Sequence, residues 1–243
     1  MRRQQMQKEG NSSVNLFEKE RLVREAAETF ETKPPEQLLQ WAVAHFPNIT
    51  FACSFGAEDV VLVDILDKIA PNIPVFYLDT DLHFKETYET KERLEAHYGR
   101  KFIQVRTKMT LAEQAEKYGD KLWATDPNAC CNIRKVAPLA EMLSNYDAWI
   151  TGIRREQAHT RANAKKAEYD VKFGLVKFNP LADWTTDDVW TYIRKHGIIY
   201  NPLHDRNYPS IGCEPCTRQV MPGEDPRAGR WSGFQKTECG LHQ

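Results

Sequence analysis

The chain has 243 residues, enough for one large or two small domains with a core that needs no disulfide staples. Lys plus Arg (33) nearly balances Asp plus Glu (34), a formal charge of −1, which argues against a protein that coats nucleic acid. Apolar content of 41% excludes disorder for most of the chain, and the longest apolar stretch, Val60–Ala70, is broken by Asp64, Asp67 and Lys68, so no membrane span is expected.

Residues 1–14 read as a flexible N-terminus. Met1–Gly10 is polar and lacks the apolar run of a secretory signal, which points to the cytoplasm. Asn15–Phe30 and Pro35–Phe46 read as amphipathic helices, the second with Pro in its first turn, where a missing N–H costs little. An alternation follows. Ile49–Cys53 is an apolar run of strand length, and Glu58–Ala70 carries apolar residues at 61, 62, 65, 66 and 69, a helical spacing. Pro74–Leu78 is a second strand, Phe84–Tyr98 a helix closed by Gly99, Phe102–Val105 a third strand and Thr110–Tyr118 another helix. Arg134–Ser144 reads as a helix and Ala148–Thr151 as a strand. This pattern predicts an α/β fold over residues 15–200, a mostly parallel sheet with helices on both faces. Thr185–His196 is the last clear helix, with a Thr185/Asp188 capping box and Gly197 at its end. Residues 201–243 hold five Pro and five Gly without a steady period, so the C-terminal segment is expected to be irregular and functional or disordered.

Ligands of doubly wound sheets bind beyond the C-terminal strand ends. The first end, Ser54-Phe-Gly-Ala57, offers a hydroxyl and helix-start N–H groups to an anion, or is an ordinary tight turn. Neither GxGxxG nor GxxxxGK[ST] occurs. Asp79 and Thr80 would bond a ribose or base, or cap the following segment. Arg154, Arg155 and Arg161 follow a strand end closely, a grouping of forked donors suited to phosphate or sulfate, or a charged surface loop. His83 and His204 read as surface or capping residues, and Trp184 and Trp190 as packing.

The six cysteines fit metal binding or catalysis better than a disulfide framework. Cys130 and Cys131 are adjacent, with Cα atoms about 3.8 Å apart, too close for an easy bridge. With Cys213-Glu-Pro-Cys216 they make four thiolates able to hold zinc or an iron–sulfur cluster. Adjacent ligands crowd one tetrahedral zinc, whereas a cubane offers separate iron corners, which favours the cluster. The alternative is a buried pair and a redox CxxC. Cys239, near the C-terminus, suits attack on a bound substrate or is an incidental thiol, and Cys53 reads as a small core residue.

From about residue 35 onward the chain resembles the assimilatory sulfonucleotide reductases, in their cluster-containing adenylyl-sulfate reductase branch. The resemblance rests on Ser54-Phe-Gly-Ala-Glu-Asp59, Leu78-Asp-Thr80, Cys130-Cys-Asn-Ile-Arg-Lys135, Thr151-Gly-Ile-Arg-Arg155, Cys213-Glu-Pro-Cys216 and Glu238-Cys-Gly-Leu-His242. It implies an adenine nucleotide α-hydrolase-like fold and one [4Fe–4S] cluster on Cys130, Cys131, Cys213 and Cys216. It implies Cys239 as the nucleophile that takes the sulfonate of adenosine 5'-phosphosulfate (APS), and thioredoxin or glutaredoxin as the thiol donor that releases sulfite. The implied substrate contacts are Ser54, Gly56, Asp79, Thr80, Lys135, Arg154, Arg161, Arg227 and Arg230. Residues 201–243 would then be a cluster-binding segment and mobile catalytic tail.

The loop at Ser54 lacks the second glycine and the serine of the related ATP-pyrophosphatase loop, against pyrophosphate handling. Ala158-His159 stands where many relatives have Ser-Pro after the Arg-Arg motif, a departure that puts one implied substrate hydrogen bond in question. Three alternatives stay open: use of the 3'-phosphorylated substrate PAPS alone or beside APS, an ATP-using adenylating or thiolating enzyme, and a zinc-stabilised nucleotide-binding module. No nucleic-acid or membrane partner is expected, and a homo-oligomer is left open.

Overall fold

Short runs of β-branched and aromatic residues build a sheet, and the helices between them cover its faces. The computed structural model describes residues 16–236, 238, 240 and 241. The N-terminus at 1–14 and Cys239 lie outside the described residues. In chain order the elements are α1 (Leu16–Thr29), α2 (Pro35–His45), β1 (Ile49–Ala52), α3 (Ala57–Ile69), β2 (Val75–Asp79), α4 (Lys85–Tyr98), β3 (Ile103–Arg106) and α5 (Leu111–Tyr118). Then come α6 (Leu122–Thr125), α7 (Pro127–Cys131), a π-helical turn (Asn132–Val136), α8 (Ala137–Leu143), β4 (Ala148–Ile150), β5 (Ala167–Asp170), β6 (Leu175–Phe178) and α9 (Thr186–His196).

The six strands lie in the order β3-β2-β1-β4-β6-β5. All neighbours are parallel except β5 against β6. Strand alternation divides the core. Ala148 and Ile150 of β4 join the larger cluster, with Leu38, Leu39, Val60 and Leu66 from α2 and α3. Trp149 between them points to the opposite face, where it meets Phe76, Leu139, Leu143 and Leu175. Gly99 and Gly197 end α4 and α9 in the left-handed conformation that glycine adopts without penalty. The Thr185/Asp188 capping box forms at the start of α9.

Two features depart from the sequence reading. The β5–β6 hairpin is an additional antiparallel edge, and Lys177, buried on β6, pairs with Glu168 on its β5 partner (2.8 Å). The helix expected over 134–144 starts earlier, at Pro127, and passes through the π turn before α8. Among the described residues no helix is long and apolar enough to cross a membrane.

Candidate functional site

A cavity of about 940 Å³ opens at the C-terminal ends of β1 and β4 and is covered by the segment after residue 200. That volume is in the range of small-molecule sites. Its floor is the β1–α3 junction. Phe55 takes φ +62°, so the chain turns sharply after Cys53, which is buried in the core, before α3 begins. Ser54 donates from both its N–H and its hydroxyl to Asp59 Oδ2 (2.6 Å each). The expected anion cradle is therefore closed by the chain's own carboxylate. Burial pushes the Asp59 acid up to about 6, against the hydrogen bonds from Ser54 that favour its ionised form.

Gly152, just after β4, backs this junction. A Cβ on it would stand 2.1 Å from Asp59 Oδ1 and 3.1 Å from Glu58 Cβ. Gly152→Ala should therefore displace the Asp59–Ser54 pair and cost about 1–3 kcal/mol, the usual range for overpacking. A urea titration checks this; an unchanged midpoint at an unchanged slope would refute it.

Arg154 lines the cavity but is held by protein groups. Its Nε donates to Glu58 Oε1 (2.8 Å), Nη1 to Glu156 Oε2 (2.9 Å) and to the Trp184 carbonyl, and Nη2 to the Thr186 hydroxyl. Arg155 does not line the cavity; it forks onto Glu31 (2.6 and 2.9 Å) and ties the turn after α1 to the sheet end.

Further cations line the cavity: Lys135, Arg161, Arg227 and Arg230, with His83 also in its lining. Arg161 is linked to the Arg154 backbone through Gln157 Oε1, which accepts from both. Burial and the Lys135 charge hold His83 below the ordinary imidazole range. Arg230 stacks its guanidinium over Trp231 (4.4 Å) and donates to Ser210 Oγ (3.1 Å). Its Nε is buried with no partner among the described residues. Gly212 leaves room for this guanidinium, since a Cβ there would stand 2.3 Å from Arg230 Nη2. Glu238 and Leu241, on either side of position 239, line the same cavity.

Asp79 and Thr80 do not line the cavity. Asp79 accepts from Tyr88 (2.7 Å), Gln104 and the Asp81 N–H, and these bonds outweigh burial and hold its acid below the usual range. Thr80 Oγ1 instead lies 3.3 Å from Cys213 Sγ.

Cys130, Cys131, Cys213 and Cys216 line a second, smaller cavity, which shares Lys135, Arg230 and Trp231 with the first. The π turn between α7 and α8 sets Arg134 and Lys135 just after the adjacent cysteines. Arg134, 1% exposed, is held by Gln114 Oε1 (2.8 Å), Asp81 (3.0 Å) and the Thr80 carbonyl (3.1 Å). Gln114 Nε2 in turn points at Cys130 Sγ (4.0 Å). Burial first, and then the neighbouring sulfurs, push the Cys130 thiol up to about 11 and the Cys216 thiol up to about 12. No disulfide joins the described cysteines. Among the described residues no three His, Cys, Asp or Glu side chains are close enough together to hold a single metal ion.

Sequence reasoning missed Glu58, Asp59, Glu156 and Glu238 as the acceptors that occupy the site's donors. His83 and His204, which read as surface or capping residues near the site, line the cavity, as does Trp190, which read as packing. His204 packs edge-on against Trp190 (5.3 Å), and its Nε2 is buried without a partner among the described residues.

Residues 48–219 match the phosphoadenosine phosphosulfate reductase domain model. A protein of Halalkalibacterium halodurans named adenosine 5'-phosphosulfate reductase is 48% identical, over 91% of this chain and 96% of its own. Bacillus subtilis adenosine 5'-phosphosulfate reductase 1 is 50% identical over 85% of this chain and 89% of its own. Among solved structures, phosphoadenylyl-sulfate reductase from Candida auris, a phosphate complex, superposes with TM-score 0.73 at 29% identity over 82% of this chain and 96% of that one. Candida glabrata FMN adenylyltransferase with FAD and pyrophosphate reaches TM-score 0.56 at 14% identity, covering 88% of this chain and 70% of its own, a likeness of fold alone.

Proposed function

The chain belongs to the phosphoadenosine phosphosulfate reductase domain family, with an adenine nucleotide α-hydrolase-like fold, and from that premise we infer that it reduces APS to sulfite and AMP. The observation that carries the reading is that Lys135, Arg161, Arg227 and Arg230 line one cavity, which Glu238 and Leu241 line as well. Attack on a sulfate ester brings a thiolate toward an anion, and cations at that point offset the repulsion.

On this reading the Cys239 thiolate attacks the sulfur of APS. A sulfur–sulfur bond forms, the bond from that sulfur to the bridging oxygen breaks, and AMP leaves with the electron pair. A thiolate of a dithiol donor, thioredoxin or glutaredoxin, then attacks Cys239 Sγ and expels sulfite. The second donor thiol resolves the mixed disulfide, so the two electrons come from the donor. Lys135, Arg161, Arg227 and Arg230 would hold the phosphosulfate, and the unpartnered Arg230 Nε suits an incoming oxygen. Ser54 and Gly56 would meet the nucleotide from the floor, with Arg154 stabilising that wall through Glu58 and Glu156. Asp79 and Thr80 would act from behind it, Thr80 through Cys213.

The cluster assignment is part of the same proposal. Four thiols lining one cavity, with the Thr80 hydroxyl at Cys213 and the Gln114 amide at Cys130, suit a [4Fe–4S] group. Bound there, it would supply a structural anchor and an electrostatic field beside Lys135. Residues 15–200 would thus form the sulfonucleotide-binding domain and 201–243 the cluster-binding segment and catalytic tail. The cytoplasm is the compartment in which such thiols stay reduced.

Intact-protein mass spectrometry after incubation with APS, and separately with PAPS, without any reducing thiol, tests the reading. One added SO3, mapped to Cys239 and discharged by reduced thioredoxin, is expected with APS at the faster rate. No adduct with either nucleotide on iron-loaded protein would overturn the covalent mechanism.

A further inference from the structure

Glu238 is 3% exposed, although it lies within the last six residues of the chain. Its Oε1 accepts from Arg161 Nε (2.7 Å) and the Thr160 hydroxyl (3.2 Å). Its Oε2 accepts from Arg161 Nη2 (2.7 Å) and Arg227 Nη2 (3.2 Å). Gln157 Oε1 braces Arg161 from the other side by accepting from Nη1 (2.6 Å). Burial alone would raise the Glu238 acid, but Arg161 and then Arg227 outweigh it and hold it below the usual range, so it is a carboxylate at neutral pH. A buried charge of this kind is retained only when paired and hydrogen-bonded, and this one has two guanidiniums and a hydroxyl.

The rest of the described tail is docked on the other side of position 239. The Gly240 carbonyl accepts from Lys172 in the β5–β6 turn. Leu241 packs against the cluster of Phe76, Leu139 and Trp149. The contacts on the two sides differ in kind. Lys172 is an exposed partner and Leu241 an apolar one, whereas the Glu238 contact uses cations that the proposed reaction itself requires.

We propose that Glu238 is a positioning residue: its carboxylate, clamped by Arg161 and Arg227, sets the tail so that Cys239 is presented to a sulfonucleotide held by those same cations. The inference rests on the reading of Cys239 as the sulfonate acceptor. One pair of guanidiniums then binds two anions, the tail's carboxylate and the substrate's phosphosulfate, and thereby fixes nucleophile and electrophile relative to each other. Arg donors are numerous enough for both, five per side chain. Neutralising Glu238 loosens the tail but leaves the cations less neutralised, so presentation and substrate affinity move in opposite directions. A residue needed only for folding would lower both together.

The test is Glu238→Gln, which keeps the shape and removes the charge. In single turnover at saturating APS the rate of Cys239 sulfonation should fall on the order of tenfold to a hundredfold, the cost of ångström-scale misplacement. The Kd for APS should stay equal or tighten. Without nucleotide, iodoacetamide labelling of Cys239, read by peptide mass, should be several-fold faster in Glu238→Gln than in wild type. That acceleration should shrink in an Arg161→Gln background, because the two changes share the Arg161–Glu238 interaction, while Arg227 and Thr160 still hold the carboxylate. Wild type that forms the adduct, with Glu238→Gln matching it in both sulfonation and labelling, would overturn the clamp. So would equal losses of rate and affinity. Wild type that forms no adduct, with the labelling coupling intact, would overturn the reductase reading and leave the clamp standing.

Discussion

Cys239→Ser should abolish sulfite release from APS, with turnover down by at least roughly 1,000-fold, while the Kd for APS stays within about twofold of wild type. The asymmetry follows from the distribution of roles. In the proposed site the substrate's charge is held by Lys135, Arg161, Arg227 and Arg230, none of which the substitution touches. Only the attacking atom changes. A serine hydroxyl at neutral pH is almost wholly protonated, and no base is placed beside position 239 by the proposal, so the loss falls on the chemical step. A thousandfold drop corresponds to about 4 kcal/mol of transition-state stabilisation. Steady-state assay with reduced thioredoxin, together with equilibrium dialysis of APS, checks both halves. Residual turnover above about one per cent of wild type would mean that another group accepts the sulfonate. Cys53, which lines the same cavity, would be the first to examine, although burial raises its thiol far above the ordinary range.

The parallel part of the sheet and the helix ends were legible because their signals are local. Gly99 and Gly197 both sit at φ +62° at helix ends, and the Thr185/Asp188 pair caps α9 as the spacing implied. The β5–β6 hairpin was hidden for a physical reason. Its strands are four residues each, and a buried lysine on β6 is paired with Glu168 across the hairpin. The π turn carries no local signature at all. Within the site, the cysteines and arginines were visible as residue types, but their partners were not. Arg154 finds Glu58 from 96 positions away, and Arg161 finds Glu238 from 77 positions away. Such pairings are created by the fold, so a cation that reads as a free phosphate ligand in sequence turns out to be shared with a carboxylate. Asp79 shows the converse: a polar residue at a strand end whose hydrogen bonds are taken up by Tyr88, Gln104 and its own turn.

Cys131→Ser is expected to remove the iron and the broad visible absorbance of protein purified without oxygen, and to lower activity by at least about a hundredfold. The effect should spread beyond the sulfur that is lost. Cys130 and Cys131 stand at the end of α7, whereas Cys213 and Cys216 belong to the irregular segment after residue 200, so a group held by all four would join two distant parts of the chain. Protein contacts there include a bridge between His83 and Cys213, the Glu214 N–H donated to the Leu82 carbonyl, the Thr80 hydroxyl at Cys213 and Lys236 Nζ donating to Asn128 of α7, and the bound group would add to these. Binding energy of a group that the unfolded chain does not hold appears as folding energy, so its removal should lower the melting temperature and free the segment that carries Arg227 and Arg230. Affinity for APS should consequently weaken in Cys131→Ser, unlike in Cys239→Ser, because two of the substrate's cations lose their support. Iron analysis, visible absorbance, thermal melting and APS dialysis on the two variants side by side separate these consequences. Colourless wild-type protein carrying one zinc per chain, or a Cys131→Ser variant that keeps its melting temperature and its APS affinity, would refute the assignment of the four thiols to a cluster.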